Sequence, residues 1–244
     1  MRDVWAICKN ELIHYFTTPV AYVFIIIFLI ASGSFTFFLG GFFIQGQANL
    51  DTFFQFHPWL YLFLIPAISM RLWSEERRSG FVELLLTIPV TTFATVLGKF
   101  LAAWIIIGFS LMLTIPVWIA TNYLGSPDNS AITTGYLGSL FVAGGYLSIS
   151  AFASALARNQ VTAFIIAAAL CFLFTVSSLA LVQDFFSGWA SPVVLDSVAN
   201  LSLLEHFKDV SHGVVDFGNV VFFLSTIALF LFANVVAVER WKKG

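Results

Sequence analysis

Charge is what this 244-residue chain has least of: Asp, Glu, Lys and Arg make up 10% of it, where soluble domains carry about 25%. With 59% hydrophobic residues, 29 phenylalanines and a mean hydropathy of +0.94, the composition points to an integral membrane protein. Cysteine is nearly absent as well. Cys8 and Cys171 stand far apart, one in an amphipathic stretch and one in the middle of an apolar run, so neither a disulfide framework nor a metal site is expected.

Catalytic motifs are also missing. Without a Gly-x-x-x-x-Gly-Lys-[Ser/Thr] phosphate loop the chain cannot hydrolyse a nucleotide alone, and it has no His-Glu-x-x-His or paired aspartates for intramembrane proteolysis. His14, His57, His206 and His212 fall at the ends of apolar runs or between them, and the run interiors read as free of ionisable side chains. Ion-coupled carriers place such groups within the membrane, so a carrier is the third-ranked reading. Residues 1–16 mix Arg2, Asp3, Lys9, Glu11 and His14 with apolar side chains, unlike the ordered regions of a cleaved signal peptide. Instead Val4, Trp5, Cys8, Leu12, Tyr15 and Phe16 share a helical stripe, which predicts an interfacial helix over 1–18.

What the chain does have is apolar length. Runs near 20–43, 57–73, 94–122, 132–157, 160–182 and 217–238 are each long enough, at roughly 20 residues, to cross about 30 Å of hydrocarbon. Six spans in an all-α, single-domain membrane protein are expected, with kinks at Pro66 and Pro116. Placing the N-terminus and the even-numbered connections in the cytoplasm puts Arg2, Lys9, Arg71, Arg77, Arg78, Lys99, Arg158, Arg240, Lys242 and Lys243 on that side. Only Lys208 of the 11 basic residues is left outside, so both termini are expected in the cytoplasm.

Smaller patterns qualify this outline. The 132–157 run pairs small residues four apart (Ser139/Ala143, Gly144/Ser148, Ser150/Ser154, Ala151/Ala155), spacing that admits a close helix either within one six-helix unit or from a second copy. Residues 183–217 are too long for a turn and rich in aromatic and aliphatic side chains, which predicts short helices dipping into the outer leaflet. Trp5, Trp59, Trp73, Trp189 and Trp241 are expected in the interfacial belts.

Five of the 24 charged side chains crowd into residues 74–89, which read Ser74-Glu75-Glu76-Arg77-Arg78-Ser79-Gly80-Phe81-Val82-Glu83-Leu84-Leu85-Leu86-Thr87-Ile88-Pro89. This segment resembles the Glu-x-x-x-Gly-Thr-x-Glu-x-Leu-Leu-x-x-Pro connection of ABC-2 type transporter permeases, departing from it at Phe81, where the family more often has Thr. Leu201-Ser-Leu-Leu-Glu205-His206-Phe207 with Gly213-Val-Val-Asp216 is similar to the outer segment of the GldF/NosY-like subgroup, which contains gliding-motility and nitrous-oxide-reductase maturation permeases.

The resemblance covers most of the chain and implies a non-catalytic permease subunit in a bacterial inner membrane. It implies a coupling helix over 74–90 seated in a groove of a separate cytoplasmic ATPase, with Glu75, Glu76, Arg77, Gly80, Glu83, Leu84, Leu85 and Pro89 in or near the contact and Arg158 in a second one. Two ATPase copies would carry the ATP and Mg, this chain no cofactor, and a second permease copy or homologue would complete the pathway. A short helix with acids at its start, a carboxylate at Glu83 and an apolar face can pass on a rigid-body displacement when both polar and apolar contacts dock. The subgroup likeness implies an alternative, a mechanical transmitter that passes ATPase strokes through 183–217 to an extracytoplasmic or single-span accessory protein. Neither reading gives nucleic acid a role.

Overall fold

The computed structural model describes residues 2–79, 90–188, 191–214 and 216–241, and among these every regular element is helical. In chain order they are α1 (Arg2–Thr17), α2 (Val20–Ser34), a π-helical turn (Phe35–Leu39), α3 (Phe42–Gln45), α4 (Asp51–Gln55), α5 (His57–Ser69) and α6 (Arg71–Ser79). After residues 80–89 come α7 (Thr92–Met112), α8 (Ile115–Leu124), α9 (Asn129–Leu156), α10 (Gln160–Val176), α11 (Ala180–Ser187), α12 (Pro192–Ala199), α13 (Leu203–Ser211) and α14 (Phe217–Trp241).

Short polar side chains set several starts by accepting the first free backbone N–H groups. Thr91 accepts from Ala94, Asp128 from Ser130 and Ala131, Asn159 from Val161, and Ser202 from Glu205. Pro116 does interrupt the third run: α7 ends at Met112, and the proline falls in the first turn of α8, where its missing N–H costs nothing.

Among the described residues, five stretches are long and apolar enough to cross a membrane: Val20–Ile44, Asp51–Arg77, Thr92–Leu124, Asn129–Leu156 and Phe217–Trp241. The run near 160–182 differs from its expected single span. Its helix stops at Val176, and Ala180–Phe186 turns away by 83°. The polar pair Ser177-Ser178 lies at the break, and the carbonyls it frees find side-chain donors: Ser202 Oγ reaches Thr175 O at 3.2 Å and Gln183 Nε2 reaches Ser177 O at 2.7 Å.

The centre of the molecule is α9, which packs against α5, α7, α10, α13 and α14. At 28 residues it is about 42 Å long, from 1.5 Å per residue, and so exceeds the hydrocarbon thickness. Its small residues serve packing inside the unit: Ser139, Ala143, Gly144, Ser148, Ser150, Ala151, Ser154 and Ala155 are all buried. At Gly138 the fit leaves no room for a side chain, since a Cβ would stand 2.8 Å from Val210 on α13.

Three Ser154 contacts fasten the second span to this centre. Ser154 Oγ accepts from the backbone N–H of Trp73 (3.1 Å) and Ser74 (3.3 Å), first-turn donors of α6, and donates to Met70 O at 2.9 Å. The cap of α6 thus comes from another helix.

Candidate functional site

The ends of the helices sort into two groups. At one, here the basal end, α1, the end of α6, the start of α7, the end of α9 and the last turn of α14 come together. At the other, Asp51, Asp128, Ser211 and His212 border a single hollow.

Basal geometry is organised by Lys99. Its Nζ donates to Glu11 Oε1 and to Glu76 Oε1, both at 2.6 Å, and lies 5.3 Å from the centre of the Trp73 ring. Lys99 is only 4% exposed, and both carboxylates are largely covered. The approach of α1 to α7 that this pairing needs is close: a Cβ on Gly98 would be 2.8 Å from the Ile7 side chain. One ammonium thus ties α1, the helix leading into 80–89 and the helix leading out of it. Glu11, His14, Arg71, Glu75 and Lys99 line a cavity of about 200 Å³ beside the cluster. Burial, and then the Glu11 carboxylate, push the nearby Cys8 thiol up.

Lys99 corrects the expectation that the apolar runs hold no ionisable group, for it lies two turns into a membrane-length helix. His57 corrects it too. Fully buried, it meets Ser139 Oγ through Nδ1 at 2.8 Å, and the same hydroxyl meets Tyr61 OH at 2.7 Å. The expected tryptophan belt loses Trp73, which is buried against Lys99 and Trp241, while Trp5 is 63% exposed.

Of the residues assigned to the coupling contact, Glu75 is exposed on α6 and Glu76 is engaged by Lys99. Arg77 donates to Leu156 O at 3.2 Å and stacks 4.8 Å above Trp241, and Arg158 acts on it as a neighbouring like charge. The first and second proposed contacts therefore adjoin. Gly80, Glu83, Leu84, Leu85 and Pro89 lie outside the described residues.

At the opposite end, α13 lays Leu203, Leu204, Phe207 and Val210 into the bundle. His206 meets Asn219 Oδ1 at 2.7 Å and Asn200 O at 3.0 Å and stacks on Phe222 with ring centres 3.8 Å apart, which pins α13 to the start of α14. Gly213, at φ +88°, turns the chain out of α13 in a conformation that suits glycine. Leu201, Glu205 and Asp216 are exposed, and Glu205 pairs only loosely with Lys208 at 3.6 Å. No group of three or more His, Cys, Asp or Glu among the described residues is placed to hold a metal ion.

The sequence reading missed the Lys99–Glu11–Glu76 cluster. A lysine seven residues into a long apolar helix was the available signal, because a cation at that depth needs a partner.

A search of curated proteins finds no significant match. The protein-family model described as ABC-2 family transporter protein matches residues 5–231, nearly the whole chain. The chain therefore belongs to the ABC-2 family transporter proteins, as a multi-pass membrane subunit of an ATP-binding-cassette transporter that works with an ATPase partner.

Proposed function

We propose that this subunit crosses a bacterial inner membrane six times with both termini cytoplasmic, and that the 74–90 segment seats it on its ATPase. Two ATPase copies, which bind ATP and Mg, act on a pair of permease chains, this one and a second copy or homologue. The chain itself catalyses nothing and moves a substrate by changing shape.

The observation that carries the coupling reading is the Lys99 cluster. Because α6 and α7 flank residues 80–89 and are tied to each other and to α1 by one buried ammonium, a push on that connection reaches three helices together. The second chain fits against the first span, whose Tyr22, Val23, Ile26 and Ile30 are exposed. An apolar groove of about 290 Å³ between α2 and α5 lies next to that face and suits an amphiphilic cargo better than a free ion.

The test is a reconstituted complex of permease and ATPase in vesicles. Gly80→Val and Glu83→Ala should insert normally and yet lose the permease's stimulation of ATP turnover. Stimulation equal to that of the unaltered chain in both variants would overturn the coupling role.

Docking of α13 onto α9 favours a second reading, in which the strokes pass to an extracytoplasmic partner without cargo flux. Vesicles separate the two, since a transmitter needs its partner for full ATPase activity and moves no cargo.

A further inference from the structure

A groove runs along the basal halves of α9 and α14. Its volume is about 490 Å³, its walls include Phe152, Leu156, Leu229, Phe232 and Val236, and Arg77, Arg240 and Trp241 stand at its basal mouth. We propose that this groove binds one anionic phospholipid of the adjoining leaflet, with an acyl chain along the apolar wall and the headgroup phosphate on Arg77 and Arg240. The proposal rests on the chain being a membrane subunit, and on neither the coupling role nor the side of the membrane.

The groove has the length of an acyl chain. From Leu229 to Arg240 is eleven residues of α14, a rise of about 16 Å, which matches half of a roughly 30 Å hydrocarbon core. An acyl chain laid from the interface toward the midplane spans the same distance. Leu229 and Phe232 are 63% and 69% exposed, so the wall is open from the lipid side.

Its mouth carries the charge that a phosphate needs. Arg77 is held in place by Leu156 O and the Trp241 face, yet a guanidinium has five N–H donors and this contact uses one. Arg240 is exposed, and Arg158 adds a third positive charge close by. None of the three arginines forms an ion pair among the described residues, and no carboxylate lines the groove. Glu239 precedes Arg240 in α14 but is not part of the wall.

The groove between α2 and α5 provides a contrast. It too has an arginine at its end, Arg71, but that residue also lines the neighbouring cavity with Glu11, Glu75 and Glu76, so its charge is locally opposed. Of these two grooves, the α9–α14 one leaves positive charge unanswered among the described residues, and a phosphate diester above an acyl chain supplies what is missing: an anion in the plane of the arginines with apolar length beneath it. Bound there, the lipid bridges α14 to α6, the helix that leads into 80–89.

Native mass spectrometry of the full chain, released from nanodiscs of mixed phosphatidylglycerol and phosphatidylcholine, tests this. One phosphatidylglycerol per chain should be retained in preference to phosphatidylcholine. Arg77→Gln/Arg240→Gln should weaken retention about twenty-five-fold, at roughly a factor of five per arginine, and Arg240→Gln alone, at an exposed position without hydrogen bonds to the described residues, should give the single-site effect in a fully folded chain. Equal retention by unaltered and double-variant protein, or no preference over phosphatidylcholine, overturns the proposal. So does a second permease chain that is lost on Phe232→Ala, because the groove would then be a protein interface.

Discussion

Replacing Lys99 by methionine keeps most of the side-chain volume and removes the ammonium, leaving Glu11 and Glu76 facing each other with their shared counter-charge gone. At an effective dielectric of about 20, each pair in the intact cluster is worth roughly 4 kcal/mol for charges about 4 Å apart, and much of that is offset by the desolvation of three ions. Truncation is not offset in the same way, because two carboxylates stay covered with no cation between them. The expected loss is about 3–5 kcal/mol. For a chain of this size that lowers the melting temperature by roughly 6–20 °C. Intrinsic tryptophan fluorescence during heating, in detergent or nanodiscs, reads the shift, with Trp73 beside Lys99 as a local reporter. Glu11→Gln and Glu76→Gln form the control. Each removes one of two competing carboxylates and leaves Lys99 paired with the other, so each should cost no more than about 1 kcal/mol. Lys99→Met in a Glu11→Gln/Glu76→Gln background should recover most of the loss. If Lys99→Met melts with the single glutamine variants, the ammonium does not hold the basal end together and the reasoning fails.

Ser154→Ala removes the acceptor shared by the Trp73 and Ser74 N–H groups and should destabilise by about 1–3 kcal/mol, seen as faster amide exchange in the first turn of α6. Gly138→Val puts methyl groups where Val210 already stands; it should cost about 1–3 kcal/mol and expose 203–211 to protease before the rest of the chain. Cys8 and Cys171 are buried, so neither should react with maleimide near neutral pH until detergent unfolds the chain. Because the Cys8 thiol is pushed up, alkaline pH should raise its labelling later than that of a free thiol, and immediate labelling at neutral pH would contradict the packing of α1.

The all-helical, multi-pass character was legible because it is written in long patterns: twenty-residue apolar runs, and a proline where the third run breaks. Pairings between distant residues were not. Lys99 looks in sequence like one more cation near a membrane end, and only the fold shows that Glu11, 88 residues away, and Glu76, 23 away, converge on it. The small residues of 132–157 had two meanings with the same spacing, and the deciding fact, which surface reaches them, belongs to α13 and α14. The break after Val176 was hidden because Leu179–Val182 is as apolar as what precedes it; Ser177 and Ser178 become a break only where Ser202 and Gln183 supply donors.

Both functional readings place one demand on α9. It must carry displacement between the ends of the molecule without dissipating it in bending. Its composition meets that demand, since no proline or charge interrupts 28 residues and its hydroxyls fasten neighbours at different heights, Ser139 to His57 and Tyr61, Ser150 to Cys171, and Ser154 to α6. At the basal end Leu156 O takes Arg77, and toward the other Gly138 and Gly145 receive α13. A packed interior shifts between discrete arrangements and does not deform smoothly. Motion of α6 relative to α9 therefore has to break the Ser154 and Leu156 contacts or carry α9, and α13 with it, as one body. Exporter and transmitter differ only in what sits at the far end of that body, cargo between two permease chains or a partner on 183–217. The basal machinery is the same for both.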